Sequence, residues 1–175
     1  MPFGRARKLD TEAELYEYAV GALARRMRSV AELKRLLRRR VEPGELGDTL
    51  VELIIAKLKE QKYLNDAQYA STYSSLRKEN DRFGRRRVMT DLKARGVHSE
   101  VIEKAVSATY ENVNEEALAR DYLRRKRLQK PSDRKQAARI FRSLVRAGFG
   151  TRTIIAILKK WDVEDEVLSA LETEE

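Results

Sequence analysis

The chain has 175 residues, of which 37 are lysine or arginine and 28 are aspartate or glutamate, and its net charge is +9. Only three prolines and eight glycines occur, a composition typical of a helix-rich globular protein and not of a sheet, a collagen or a disordered chain. Cysteine is absent, which excludes disulfides, thiolate metal sites and a cysteine nucleophile. Apolar runs are far shorter than the roughly 20 residues of a membrane span, and the first ten residues lack the apolar core of a signal peptide. We therefore expect a cytoplasmic protein without a membrane partner.

Capping motifs and apolar periodicity predict a first group of three helices. Thr11 with Glu14, and Ser29 with Glu32, form capping boxes that open the first two helices. Pro43 then breaks the chain before the third helix. The apolar stripes of the three helices are Leu15, Tyr18, Ala19, Ala22 and Leu23; Val30, Leu33, Leu36 and Leu37; and Leu50, Val51, Ile54, Ile55 and Leu58.

Two further groups of three helices are predicted after the first group. Asn65 and Asn114 are predicted N-caps, and Gly96 and Gly148 are placed to end helices in the left-handed conformation. The polar residues 77–82 predict a loop. The apolar stripes are Tyr69, Ala70, Tyr73 and Leu76; Val88, Met89 and Leu92; Val101, Ile102, Ala105 and Val106; Leu118, Tyr122 and Leu123; Ala137, Ile140, Phe141, Leu144 and Val145; and Ile154, Ile157, Leu158 and Trp161.

The middle helices of the three groups align as an internal repeat. Leu33, Val88 and Ile140 fall at equivalent positions, and Gly96 falls on Gly148. One three-helix unit is marginally stable by itself, whereas stacked units bury more apolar surface. The predicted organisation is a flexible basic segment at 1–10, repeats at 11–64, 65–113 and 114–161, and an acidic segment at 162–175 that is either a short helix or a frayed tail.

Basic charge is concentrated on and around the middle helix of each repeat. Residues 162–175 contain seven acidic residues and no lysine or arginine, so the rest of the chain is more basic than the net charge indicates. This pattern favours an anionic partner, with nucleic acid first, over the alternative of a merely solubilising surface. The third repeat carries basic residues spaced i, i+4, i+7 and i+11, which places them along one side of a helix. The residues we predict to bind are Arg28, Arg35, Arg38, Arg39, Arg85, Arg86, Arg87, Lys93, Lys135, Arg139, Arg142 and Arg146.

Enzyme signatures are missing from the sequence. It contains neither a P-loop nor a dinucleotide-binding glycine motif. The single histidine, His98, lies at a predicted helix start, where a cap or turn role is commoner than that of a ligand or base. We interpret Asp66 as a helix-start residue, and Tyr69, Tyr73 and Tyr122 as core residues. We therefore expect no enzymatic activity, no metal and no cofactor.

Three segments, in this order and spacing, resemble the RecX family of bacterial regulators. They are RSVAEL at 28–33, YLNDAQYA at 63–70, and GRR at 84–86 followed by LKARGV at 92–97. The resemblance extends over roughly residues 11–160. It implies an elongated, curved, all-α molecule of three tandem three-helix repeats without a sheet.

The resemblance also implies a partner and a role. RecX-like proteins bind the RecA recombinase and its filament on single-stranded DNA, and they dampen filament growth, ATP hydrolysis, strand exchange and coprotease activity. The implied partners are thus RecA and single-stranded DNA, with duplex DNA as a further candidate through phosphate contacts, and we expect a monomer. From the residues alone, two alternatives stay open: a stand-alone nucleic-acid-binding protein of the transcriptional-regulator type, and a helical adaptor without nucleic-acid contacts.

Overall fold

The computed structural model describes residues 7–173, and all regular elements within that range are helical. The predicted all-α fold class is therefore confirmed. The α-helices are α1 (Glu12–Arg25), α2 (Val30–Arg38), α3 (Glu45–Glu60), α4 (Asp66–Leu76), α5 (Arg85–Ala94), α6 (Ser99–Tyr110), α7 (Glu115–Arg125), α8 (Arg134–Arg146), α9 (Thr151–Lys159) and α10 (Asp165–Thr173).

The predicted helix starts are present. The side chains of Thr11 and Asn114 each accept a backbone N–H from the first turn of their helix, and the side chain of Asn65 accepts two. Ser29 and Glu32 form a complete capping box, because each side chain accepts the other residue's backbone N–H at 3.1 Å. Caps of this kind each stabilise a helix by about 1 kcal/mol.

The ends of α5 and α8 also follow the prediction, whereas the end of α4 does not. Gly96 and Gly148 adopt left-handed backbone conformations with φ of 76° and 90°. The loop predicted at 77–82 is wrong, since Arg77–Asp81 forms a π-helical turn that continues α4. An ion pair of 2.7 Å between the first and last residues of that turn favours the helical path, and Arg82, at φ 58°, ends it.

The described chain divides into two compact units. Unit 1 comprises residues 7–70 and 93–101, and unit 2 comprises residues 71–92 and 102–173. The division passes through α4, α5 and α6, so each of these helices contributes residues to both units. The division of the chain into three repeats stays a prediction.

The core of unit 1 lies where α1 and α2 pack on α3. Leu15, Leu33, Ile54 and Leu58 are fully buried there, as their positions in the apolar stripes predict. Each buried side chain of this size contributes about 1.5–3 kcal/mol relative to an exposed one. The same packing turns the polar sides of α1, α2 and α3 towards solvent.

The core of unit 2 lies among α7, α8, α9 and α10. Leu123, Leu144 and Ile154 are buried at its centre. Of the two alternatives for the acidic C-terminal segment, the helix is the one observed, and Leu168 and Leu171 of α10 pack into this core. Residues 174–175 lie outside the described residues.

The predicted flexible N-terminal segment lies partly outside the described residues, which exclude 1–6. The backbone N–H of Leu9 donates to the carbonyl oxygen of Arg40 at 2.7 Å, and the ammonium group of Lys8 donates to the carbonyl oxygen of Val41 at 2.7 Å. Residues 8 and 9 are therefore bonded to the turn that follows α2.

Candidate nucleic-acid interface

The row of basic residues predicted on one side of α8 is present. Lys135, Arg139, Arg142 and Arg146 are all exposed, while the opposite side of α8 is buried in the core of unit 2. None of these four side chains forms an ion pair with another residue in the range 7–173. The row extends over about 16 Å of the helix axis. Its like charges repel one another, so a bound polyanion would stabilise it.

Arg35 and Arg39 form a shorter exposed pair, one turn apart on α2. The third basic residue predicted on this part of the chain, Arg38, has partners on α3: its Nε lies 3.1 Å from Asp48 and its Nη2 lies 3.7 Å from Glu52. Exposed ion pairs of this kind contribute only about 0–1 kcal/mol to stability. They nevertheless neutralise part of the charge that Arg38 could offer to a ligand.

Arg28 lies half-buried between α1 and α2, where its Nε donates to the carbonyl oxygen of Ala22 at 3.4 Å. Desolvation, followed by the nearby charge of Arg26, lowers the pKa of Arg28. The first effect comes from partial burial of the guanidinium group, and the second from the like charge of Arg26. The residues that line the cleft here are Arg26, Arg28, Glu32, Arg35, Leu36 and Arg39.

The three consecutive arginines at the start of α5 differ in their side-chain contacts. Arg86 is exposed and its side chain has no partner among residues 7–173. By contrast, Nη2 of Arg85 donates to the hydroxyl of Ser107 at 2.9 Å, and Nε of Arg87 lies 3.0 Å from the carboxylate of Asp91. Asp91 is one turn along the same helix, so part of the basic charge is paired locally.

The predicted binding residues thus fall into two sets. Those whose side chains are exposed without an ion pair or side-chain hydrogen bond to residues 7–173 are Arg35, Arg39, Arg86, Lys93, Lys135, Arg139, Arg142 and Arg146. Those that contact their own chain are Arg28, Arg38, Arg85 and Arg87. The hypothesis of matching basic rows is best supported on α8 and least supported on α5, and binding by any of these residues stays a prediction.

A polar network around Glu32 in unit 1 was not predicted. The side chain of Glu32 is only 12% exposed and accepts hydrogen bonds from Nη1 of Arg95 at 2.7 Å and from the hydroxyl of Tyr69 at 3.3 Å. The hydroxyl of Ser29 donates to the carbonyl oxygen of Arg95 at 2.6 Å. Burial and the charge of Glu32 raise the pKa of Tyr69. The network attaches residues 93–101 to α2, and the capping box was its only signal in the sequence.

Five other residues for which the sequence suggested a role lie mostly where it predicted. Asp66 begins α4, as predicted, and its Oδ1 also accepts the backbone N–H of Val30 at 2.8 Å. His98 is exposed just before α6. Of the three tyrosines interpreted as core residues, Tyr69 and Tyr122 are buried, whereas Tyr73 is half-buried.

The sequence also did not predict that apolar side chains beside Arg28 are exposed. Tyr63 is 63% exposed and Met27 is 47% exposed, although both residue types favour burial. They belong to one cleft of unit 1 that also includes Leu23, Arg28, Lys62 and Tyr69. The only signal in the sequence was that Tyr63 lies beyond the apolar stripe of α3, which ends at Leu58.

Within residues 7–173, no group of three histidine, aspartate or glutamate side chains is placed to hold a metal ion. Among the same residues, no helix has both the length and the apolar character of a membrane span.

Comparison with known proteins places these features in a family. Residues 65–106 match the family described as RecX, second three-helix domain. The regulatory protein RecX of Myxococcus xanthus is 34% identical, and the alignment covers 83% of this chain and 83% of that protein. The regulatory protein RecX of Bacillus velezensis is 30% identical over 90% of this chain, but the chain spans only 59% of its length.

Solved structures resemble the fold. A crystal structure of RecX from Lactobacillus salivarius superimposes with a TM-score of 0.66 at 22% identity, over 86% of this chain and 96% of the other. A second crystal structure, of a regulatory protein RecX, gives the same TM-score at 24% identity. At these identities the likeness extends to the all-helical architecture alone.

Proposed function

This chain belongs to the RecX family of regulatory proteins, and we propose that it binds the RecA recombinase and its filament on single-stranded DNA. In this proposal it limits filament growth and so lowers ATP hydrolysis, strand exchange and coprotease activity during DNA repair and recombination. It acts as a monomer in the cytoplasm. The family is one of regulators and not of enzymes, which agrees with the non-enzymatic role expected from the sequence.

The observation that carries the proposal is the exposed basic row of α8. The planar guanidinium group of arginine binds phosphate and carboxylate oxygens in the same bidentate geometry. Lys135, Arg139, Arg142 and Arg146 therefore suit both the backbone of a DNA strand and the acidic residues of a protein surface. A filament of RecA on DNA offers both kinds of anion along one line.

A second group of cations supports the same proposal. Arg35 and Arg39 are exposed on α2 beside Arg28, and Arg86 and Lys93 are exposed on α5. Contacts of these side chains with phosphates would add affinity without reading base sequence. We therefore expect binding that depends weakly on DNA sequence and strongly on salt.

The test is a DNA-dependent ATPase assay with RecA on circular single-stranded DNA at moderate salt. We expect a slight molar excess of this protein to lower the rate of ATP hydrolysis. Reactions without RecA and reactions with heat-denatured protein serve as controls. An unchanged rate, together with no capture of RecA in a pull-down with DNA and nucleotide, would contradict the proposal.

The same experiments separate this function from a stand-alone DNA-binding protein. A transcriptional regulator would protect one duplex sequence from nuclease, and base contacts would maintain that protection at higher salt. The proposed regulator should instead give no discrete footprint on duplex DNA. A salt-resistant footprint without an effect on RecA would favour the alternative.

A further inference from the structure

The backbone after α3 fixes the position of Tyr63 in unit 1. Its N–H donates to the carbonyl oxygen of Leu58 at 3.0 Å, and the preceding residue, Lys62, adopts a left-handed conformation with φ of 61°. The side chain nevertheless stays 63% exposed, and its hydroxyl has no hydrogen-bond partner among the described residues. The backbone hydrogen bond therefore fixes the main chain of Tyr63, while most of the surface of its ring is open to solvent.

The cleft beside this ring is lined by apolar and by cationic side chains. Met27 and Leu23 provide apolar surface next to Tyr63, and Arg28 and Lys62 provide two positive charges. A planar, apolar group that carries negative charge nearby matches such a surface in shape and in charge.

Arg28 also lines the second cleft of unit 1, so the two clefts are neighbours. The second cleft adds Arg26, Arg35 and Arg39, and its one acidic residue is Glu32, which is bonded to Arg95 and to the Ser29 backbone and lies 4.0 Å from Nη2 of Arg26. Arg28, Arg35 and Arg39 form no ion pair with residues 7–173, so three of the four cations of this cleft lack a paired acid.

We propose that the ring of Tyr63 stacks on an unpaired nucleobase of a single DNA strand, while Arg28, Arg35 and Arg39 bind the phosphates next to that base. A cationic groove combined with an aromatic platform is the usual design of sites for single strands. The bases of a duplex are stacked on one another and cannot reach such a ring, so this site selects single-stranded over duplex DNA. The inference rests on the proposed function, in which the chain binds single-stranded DNA.

An acidic peptide is the other occupant that these charges could accept. Such a peptide would bind the arginines, but contact with the exposed ring of Tyr63 would add little to its affinity. The apolar surface of Tyr63 and Met27 next to the cations therefore favours the nucleotide.

The test compares fluorescence anisotropy of two labelled strands of equal length at low salt. One is oligothymidylate, and the other is an abasic strand that keeps every phosphate but has no bases. We expect Tyr63→Ala to weaken binding of oligothymidylate about 5- to 150-fold and to change binding of the abasic strand less than about twofold. Tyr63→Phe should retain binding of both strands, since its ring can still stack. Leu46→Ala serves as the matched control, because Leu46 is 89% exposed on α3 and lines neither cleft.

Three outcomes would overturn the inference. Tyr63→Ala could bind oligothymidylate as tightly as the unmodified protein does, or it could lose affinity for both strands equally, which would indicate a structural or purely electrostatic effect. It could also lose affinity for a polyglutamate peptide and not for DNA, which would assign the cleft to an acidic protein. Failure of the unmodified protein to bind either strand would instead count against DNA contact in the proposed function itself.

Discussion

Gly84 and Gly148 approach each other backbone to backbone within unit 2. The N–H of Gly84 donates to the carbonyl oxygen of Ala147 at 2.8 Å, and the N–H of Arg86 donates to the carbonyl oxygen of Gly148 at 3.3 Å. A Cβ added at Gly84 would lie 2.6 Å from the carbonyl carbon of Gly148, well inside van der Waals contact. The glycine of the GRR segment therefore permits the start of α5 to pack on the chain that follows α8.

This contact predicts that Gly84→Ala destabilises unit 2. The atoms that the new methyl group meets are backbone atoms, which cannot rotate away, so the free energy of unfolding should fall by about 1–3 kcal/mol. Urea denaturation followed by circular dichroism measures this change. Gly21→Ala is the matched control, because nothing lies within 4 Å of a Cβ added at this position of α1. This substitution should raise the free energy of unfolding by about 0.5–1 kcal/mol. Equal effects of the two substitutions would argue against the close approach.

The pair Glu32 and Arg95 should contribute to stability more than an exposed ion pair does. Nη1 of Arg95 and Oε1 of Glu32 lie 2.7 Å apart; the Glu32 side chain is 12% exposed and the Arg95 side chain is 32% exposed. A double-mutant cycle with Glu32→Gln and Arg95→Gln should give a coupling free energy of about 1–3 kcal/mol in urea denaturation. The same cycle on Asp121 and Arg124, an exposed pair at 2.8 Å, should give less than about 1 kcal/mol. Equal coupling in the two cycles would show that burial of Glu32 has no energetic effect.

The basic row of α8 should act on DNA binding and not on folding. Arg139→Gln with Arg142→Gln removes two exposed charges without an ion pair, so circular dichroism should stay helical. Because each lost phosphate contact lowers the dependence of log K on log salt by about 0.7, the slope for single-stranded DNA should fall by about 1.4. Fluorescence anisotropy at several salt concentrations measures it.

The control for this prediction has the same change in net charge. Arg120→Gln with Arg124→Gln removes two arginines of α7 that pair with Glu116 and Asp121 in the same helix. We expect little change in the salt slope from this control, because its cations are already neutralised. A fall in slope as large as that of the α8 variant would mean that net charge, and not the row itself, determines binding.

The half-buried phenol of Tyr110 should make the stability of unit 2 sensitive to alkali. Burial raises the pKa of Tyr110 above its ordinary value of 10.0, and its hydroxyl donates to the carbonyl oxygen of Phe83 at 2.7 Å. Above about pH 10 the unfolded state loses this proton while the folded state retains it, so stability should fall as the pH rises through that range. At neutral pH, Tyr110→Phe should lower the free energy of unfolding by about 1 kcal/mol, because the hydrogen bond to Phe83 is lost.

The pH series identifies the group responsible. In urea denaturation between pH 8 and pH 11, the difference in stability between Tyr110→Phe and the unmodified protein should narrow as the pH rises, because phenylalanine has no proton to lose. A constant difference across the series would show that ionisation of Tyr110 has no part in the alkaline loss of stability.

Local patterns of residues are enough to specify the helices and the faces that they bury. Capping of α2 by Ser29 and Glu32, and the left-handed ends at Gly96 and Gly148, depend on residues a few positions apart, and such local energies can be inferred without a fold. The exposed row of α8 follows in the same way, since the spacing of its basic residues on a helix determines which side they occupy.

Packing between distant helices, by contrast, sets which cations have partners and which apolar side chains stay exposed. The contacts of Arg38 with Asp48, of Arg95 with Glu32 and of Gly84 with Gly148 join residues that are distant in the sequence. Their distances depend on how separate helices pack, and neither periodicity nor charge spacing contains that information. The exposure of Tyr63 has the same origin, because the burial of a side chain is set by neighbours that the fold brings to it.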